Sequence, residues 1–207
     1  LKLVDVHDVV KEFVRACVKF FVVIQHDFPE FLAANHVQLC ANMPPHAAQL
    51  RNIVLSASPR QEPGEVQDPA ALLGDYEVVA THLQESGLLE LVDQLLQNGP
   101  TEDAIAHLTH AINRSDKGTV VFGNVELSTD VSLINAVVLY IGTFAVRRFQ
   151  PDASVFVSGA PDIATLSLLA HELGPEARYF LLSSIVDELR FPNPFTNYFS
   201  SVLLELW

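Results

Sequence analysis

Residues 177–206 (ARYFLLSSIVDELRFPNPFTNYFSSVLLEL) are two strongly apolar helical runs around one short polar connection, Arg190 to Tyr198. A chain that repeats this arrangement can bury its apolar stripes only by laying helices side by side, because each run is longer than a strand and periodic at helical spacing. Proline sets the rhythm. It fits the first turn of a helix but cannot continue one. Pro29, Pro45, Pro161 and Pro175 therefore each open a helix, and Pro59, Pro151 and Pro192 lie where helices stop. Gly174-Pro175 closes one helix and opens the next in a single step, which predicts an antiparallel helix hairpin with almost no loop.

The pass along the chain predicts helices over about 1–25, 29–41, 45–57, 75–85, 87–97, 101–114, 128–149, 161–173, 175–190 and 196–206. Val6, Val9, Val10, Phe13, Cys17, Phe20, Phe21 and Ile24 supply the periodicity of the first. Thr101 is the expected cap of its helix, with Glu102 and Asp103 in the first turn, where the helix dipole favours acids. Ser128-Thr129 is the expected cap of the long apolar helix, and Thr196 that of the last. Residues 131–146 read as a buried core helix rather than a membrane span, since the run is short and carries Asn135 and Thr143. Thr119 to Phe122 is a β-branched run before Gly123-Asn124, extended or loop. Residues 60–74 (RQEPGEVQDPAALLG) read as a surface loop. The expected fold is all-α, a single domain over 1–207 of stacked antiparallel helix hairpins in the manner of a HEAT-repeat solenoid. No clean fixed-period repeat is present; the expectation rests on the hairpin rhythm.

Composition narrows the function. Of 207 residues, 49% are apolar and only 18% charged, as suits helices buried on more than one side or surfaces covered by partners. The net charge is −13, and twelve Lys and Arg are scattered, with Arg147-Arg148 the only adjacent pair. Nucleic-acid binding rests on cationic neutralisation of phosphates, so direct RNA or DNA binding is not expected; basic partner segments are the better match. Cys17 and Cys40 both fall in apolar helical runs, without a C-x-x-C or a disulfide framework, and read as buried thiols of a reducing compartment. The sequence opens at Leu1 and closes at Trp207 inside helical patterns, with no signal peptide, which points to a segment excised from a longer polypeptide.

Catalytic patterns fail one by one. His171-Glu172 opens like a zinc-protease helix, but the second His would stand at Pro175. His107 and His110 are three apart on one helix, without an identifiable third ligand, and a solvated face explains them. Gly118 to Gly123 has phosphate-loop glycine spacing, but Asn124 and Val125 stand where Lys and Ser/Thr are needed. No G-x-S-x-G or G-x-G-x-x-G occurs. Asp5/Asp8 and Glu102/Asp103 are explained by helix faces and first turns. The chain is expected to be no enzyme and to hold no cofactor or metal. A metal-dependent helical enzyme built on His107 and His110 is the alternative from another class.

What remains is interaction surface. Aromatic residues and Arg populate interface centres, and Phe195, Tyr198 and Phe199 cluster beside Arg190. Phe199 reads as core, on one face with Leu203 and Leu206, and Phe195 can serve as a staple at the helix start. Tyr198 and Arg190 are the expected partner contacts, with Phe195, Arg51 and Arg60 as further candidates.

Three blocks carry a resemblance. The first is Arg178-Tyr179 to Leu182, then Leu189-Arg190-Phe191-Pro192-Asn193, then Thr196, Tyr198-Phe199-Ser200, Leu203-Leu204 and Leu206. The second lies in residues 28–60, at Pro29-Glu30-Phe31-Leu32, His36, Cys40, Met43-Pro44-Pro45, Gln49-Leu50-Arg51-Asn52, Leu55-Ser56-Ala57 and Pro59-Arg60. The third is Leu133 to Thr143 (LINAVVLYIGT). Taken in chain order, residues 28–60, then 133–143, then 178–206, they resemble the C-terminal homology domain of the large scaffold subunit of the CCR–NOT deadenylase complex. The departures lie between Gln61 and Val131, where QEPGEVQDPA replaces a Pro-rich stretch, and over Ala153 to Gly159. The resemblance implies a non-catalytic docking platform, cytoplasmic and nuclear, that recruits the NOT module (the second subunit with the third or, in fungi, the fifth). It also implies contact with short segments of regulators of messenger-RNA decay and translational repression. A generic HEAT or armadillo adaptor of another complex is the alternative with the same fold.

Overall fold

A computed structural model describes residues 7–44, 47–58, 76–113, 120–122, 125–148, 157–189 and 195–207. The chain groups into two compact units, Leu1–Ala71 and Leu72–Trp207, where the sequence led us to expect one domain. Their boundary falls in the 60–74 segment, which lies outside the described residues, as do the expected helix stops at Pro59, Pro151 and Pro192.

The first unit holds α1 (Asp8–Asp27), α2 (Pro29–Ala34), α3 (His36–Ala41) and α4 (Ala48–Leu55). Pro29 stands at the first position of α2, as its fixed φ and missing N–H favour. One helix was expected over 29–41; two are present. Asn35 breaks the run at φ −109° and ψ 13°, and its side-chain amide donates to the Phe31 carbonyl at 2.8 Å. Short polar side chains compete with the helix ladder in this way. Leu32, Cys40, Met43, Val54 and Ala57 form the buried core, with Phe21 and Ile24 of α1 packed against it. Cys40 is a buried thiol as expected, whereas Cys17 is only half-buried, because α1 has a single covered face.

The second unit holds α5 (Tyr76–Glu85), α6 (Leu89–Asn98), α7 (Glu102–Ile112), α8 (Val131–Arg147), α9 (Pro161–Glu172), α10 (Pro175–Asp187) and α11 (Thr196–Leu206). It is built as stacked helix pairs. Helices α5 and α6, α8 and α9, and α10 and α11 are in contact within each pair. Between pairs, α8 packs on α5 and α10, and α9 packs on α6 and α11, while α7 leans on α6, α8 and α9. This two-row stacking is the expected HEAT-like arrangement. Helix α8 is its centre: every residue from Ala136 to Thr143 is buried, so the helix is covered around its whole circumference. No helix among the described residues is long and apolar enough to cross a membrane.

Between α7 and α8, β1 (Val120–Phe122) pairs antiparallel with β2 (Val125–Leu127), Phe122 opposite Val125 across the two-residue Gly123-Asn124 connection. Val120 to Phe122 of the β-branched run are thus extended, in a short ribbon beside the helices of the described residues. Thr101 caps α7 as expected, its hydroxyl accepting the Ala104 N–H at 3.3 Å. The other two expected caps differ. Asp130, not Ser128 or Thr129, caps α8 by accepting the Leu133 N–H at 3.0 Å. Thr196 is the first residue of α11 rather than its cap, and the preceding Phe195 makes no side-chain capping bond.

Candidate protein-docking surface

Tyr198 and Phe195, two of the expected partner contacts, lie in the core beside Phe199. Tyr198 is fully buried and Phe195 is 3% exposed. Neither presents a surface to a partner, and the reason is local chemistry. The Tyr198 hydroxyl donates to Asp162 Oδ2 at 2.9 Å, and Arg148 reaches the other oxygen, Oδ1, at 3.4 Å. Asp162, itself 1% exposed, therefore has a partner on each oxygen, which a buried carboxylate needs. Arg148, just past the end of α8, also lies over the Phe144 ring, 5.8 Å from its centroid. Burial, then the Asp162 charge and its hydrogen bond, push the Tyr198 phenol far above its ordinary range; Arg148 acts weakly in the opposite direction. The network ties α11 to α9 and to the end of α8. It is a fastening of the fold.

Phe195 and Phe199 are seated against α8. Their rings are 6.1 Å apart, and Tyr198 meets Phe199 edge-on at 5.0 Å. Phe199 is fully buried, as expected of the core face, with Leu203 and Leu206 half-buried along the same side. Arg51 is also half-buried: its guanidinium donates to the Cys40 carbonyl at 3.4 Å and so links α4 to α3. Arg60 and Arg190 lie outside the described residues.

The outer surface of the stacked pairs carries a different aromatic. Tyr179 on α10 is 61% exposed, and Val186, two turns on, is 52% exposed. Their seven-residue spacing puts them on one face of the helix, opposite the buried Phe180, Leu181 and Ile185. Tyr179 was legible only as part of a matching Arg-Tyr pair, because polar residues (Glu176, Arg178, Ser183, Ser184 and Asp187) are interspersed around α10 and periodicity does not separate its inner face from its outer one. Two polar fastenings hold α10 in place. Arg178 donates to the His171 and Leu173 carbonyls at 2.8 and 3.0 Å, satisfying the open end of α9. Glu176 Oε1 accepts from the Ser128 N–H at 3.1 Å, the Ser128 hydroxyl at 3.2 Å and the Thr129 hydroxyl at 2.7 Å. The Ser-Thr pair expected to cap α8 thus joins α8 to α10 instead.

His107 and His110 sit exposed on α7, and among the described residues no three His, Cys, Asp or Glu side chains are grouped to hold a metal. An exposed aromatic on helices fixed in this way can be gripped by another chain.

The known proteins that this chain resembles point the same way. The family described as "CCR4-Not complex component, Not1" matches residues 1–207. The CCR4-NOT transcription complex subunit let-711 of Caenorhabditis elegans is 30% identical over 93% of this chain and 8% of its own length. The general negative regulator of transcription subunit 1 of Saccharomyces cerevisiae is 30% identical over 98% of this chain and 10% of its own. The chain thus spans about a tenth of the curated relatives it matches. Among solved structures, the NOT1 superfamily homology domain from Chaetomium thermophilum is 42% identical. It aligns at a TM-score of 0.81, over 99% of this chain and 42% of that one. A Not1 C-terminal domain in complex with Not4 aligns at 0.72 with 29% identity, over 90% of this chain and 40% of that one. With a family match along its whole length and a shared fold, the chain belongs to the Not1 family of CCR4-Not complex components.

Proposed function

We propose that this segment is a non-catalytic docking platform of the CCR–NOT messenger-RNA deadenylase complex, working in cytoplasm and nucleus. It recruits the NOT-module subunits and, through short segments, regulators of mRNA decay and translational repression. The observation that carries this reading is membership of the Not1 family along the entire chain, together with its likeness to a Not1 C-terminal domain that was solved bound to a protein partner, Not4. The physical chemistry supports it. The net charge of −13 suits locally basic partner segments, and rigid stacked helices offer a surface that needs no ordering on binding. The test is titration calorimetry of this chain with the NOT-module heterodimer of the second and third subunits, and separately with a Not4 segment. Saturable one-to-one binding to the heterodimer supports the proposal; its absence there sinks the recruitment of the NOT module, whatever Not4 does.

A further inference from the structure

Asn98 is the last residue of α6, and Gly99 ends the helix. Of the asparagines in the sequence, only this one precedes a glycine. The pairing matters because a main-chain nitrogen can attack the side-chain carbonyl of a preceding asparagine, and a side chain on the attacking residue obstructs that approach. Gly99 has no side chain, and a Cβ placed there would meet nothing within 4 Å, so the space around it is open. Asn98 is exposed to water, whereas Leu95 and Leu96 just before it are each 1% exposed. The helix end restrains the pair. The Gly99 N–H donates to the Leu95 carbonyl at 3.1 Å, so the nitrogen is committed to α6 while the last turn is closed. Helix ends fray, and such local opening costs far less than unfolding the domain.

We propose that Asn98-Gly99 is a deamidation site gated by the last turn of α6. When the turn opens, the Gly99 nitrogen gives its proton to hydroxide and bonds to Asn98 Cγ. The Cγ–Nδ2 bond breaks, and the amide nitrogen leaves as ammonia, taking a proton from water. The product is a five-membered cyclic imide. Water then opens it at one of its two carbonyls. Opening at the side-chain carbonyl leaves an aspartate; opening at the main-chain carbonyl leaves an isoaspartate, whose backbone runs through Cβ. Nothing is oxidised or reduced, and water is the only co-reactant consumed. Either product puts a carboxylate at the C-terminal end of α6, where the helix dipole is negative, in a chain of net charge −13. The isoaspartate also adds a carbon to the main chain. That draws the Gly99 N–H away from Leu95 and shifts the link to Thr101, the cap of α7. An aged chain therefore differs from a fresh one at the turn between α6 and α7.

The test incubates the folded chain at mildly alkaline pH beside the same chain unfolded in concentrated urea. Mass spectrometry follows the peptide that carries Asn98, and a carboxyl methyltransferase that methylates isoaspartate but not ordinary aspartate scores the product. The expected result is a gain of one mass unit at Asn98 in both samples, with isoaspartate among the products. The reaction should run about ten to a hundred times faster in urea, as the opening of a single helix turn requires. Asn98→Gln should suppress the gain at this position, because its longer side chain has to close a six-membered ring. Equal rates in the two samples overturn the gate. A folded chain that converts more than about a hundred times slower than the unfolded one overturns the site, since opening would then demand more than a frayed turn. Aspartate without isoaspartate overturns the attack by the Gly99 nitrogen, because direct hydrolysis by water yields aspartate alone.

Discussion

Gly142 of α8 and Phe199 of α11 are packed so closely that a Cβ at Gly142 would stand 2.6 Å from Phe199 Cζ and 2.8 Å from Cε2. The glycine is needed here for space, since it is a helical residue at ordinary φ. Gly142→Ala must push aside a fully buried ring that also touches Tyr198. Overpacking of this kind costs about 1–3 kcal/mol. We expect the urea midpoint to fall accordingly, with the helical circular dichroism of the folded state unchanged.

Tyr198→Phe keeps the ring and removes the donor to Asp162. The carboxylate then loses one of its partners in a buried site, and a hydrogen bond to such a group is worth about 1.5–3 kcal/mol. Equilibrium unfolding at neutral pH should register a loss of that size. A variant as stable as the parent would mean that the bond contributes nothing.

The same residue predicts a pH dependence. The Tyr198 phenol is raised in the folded state, so the native protein keeps a proton that the unfolded chain releases near the ordinary phenol value of about 10. With more protons bound in the native than in the unfolded state, stability is full below pH 10 and declines above it. The decline approaches about 1.4 kcal/mol per pH unit from this group. Tyr198→Phe should remove that share, so the stability curves of parent and variant converge as pH rises above 10. Parallel curves through this range would count against the assignment.

Glu176→Ala leaves the Thr129 hydroxyl, 6% exposed, without its acceptor, at a cost of about 1–3 kcal/mol. Glu176→Gln retains an acceptor oxygen and should be milder. Amide hydrogen exchange at Ser128, whose N–H also donates to Glu176, should accelerate in the Ala variant before α8 is affected.

Tyr179→Glu places a charge on the exposed face of α10, where the tyrosine ring meets that of Phe180 at 5.4 Å between centres. Stability should move by less than about 0.5 kcal/mol. Affinity for the NOT-module heterodimer should fall by about tenfold or more if this face is where the partner grips, as loss of an interface aromatic does. Unchanged affinity would move the contact elsewhere on the domain.

Several helix starts and the kind of fold were legible in the residues alone. Prolines at 29, 161 and 175 each stand at the first position of a helix, because a residue with fixed φ and no N–H has few other places to go. The apolar run of α8 announced a buried helix, and the three blocks of matching residues announced the family. What the tertiary structure alone decided was which side of each helix faces inward and which polar groups meet across helices. Tyr198 has the composition of an interface residue, yet it is buried because Asp162, thirty-six positions away, offers an acceptor in the interior. Ser128 and Thr129 have the composition of a cap, yet they serve Glu176, forty-eight and forty-seven positions on. Local pattern is set by the backbone's own geometry and is readable in any window of the chain. Partners of buried polar atoms are chosen by the packing of distant segments, and only the assembled helices bring those atoms together.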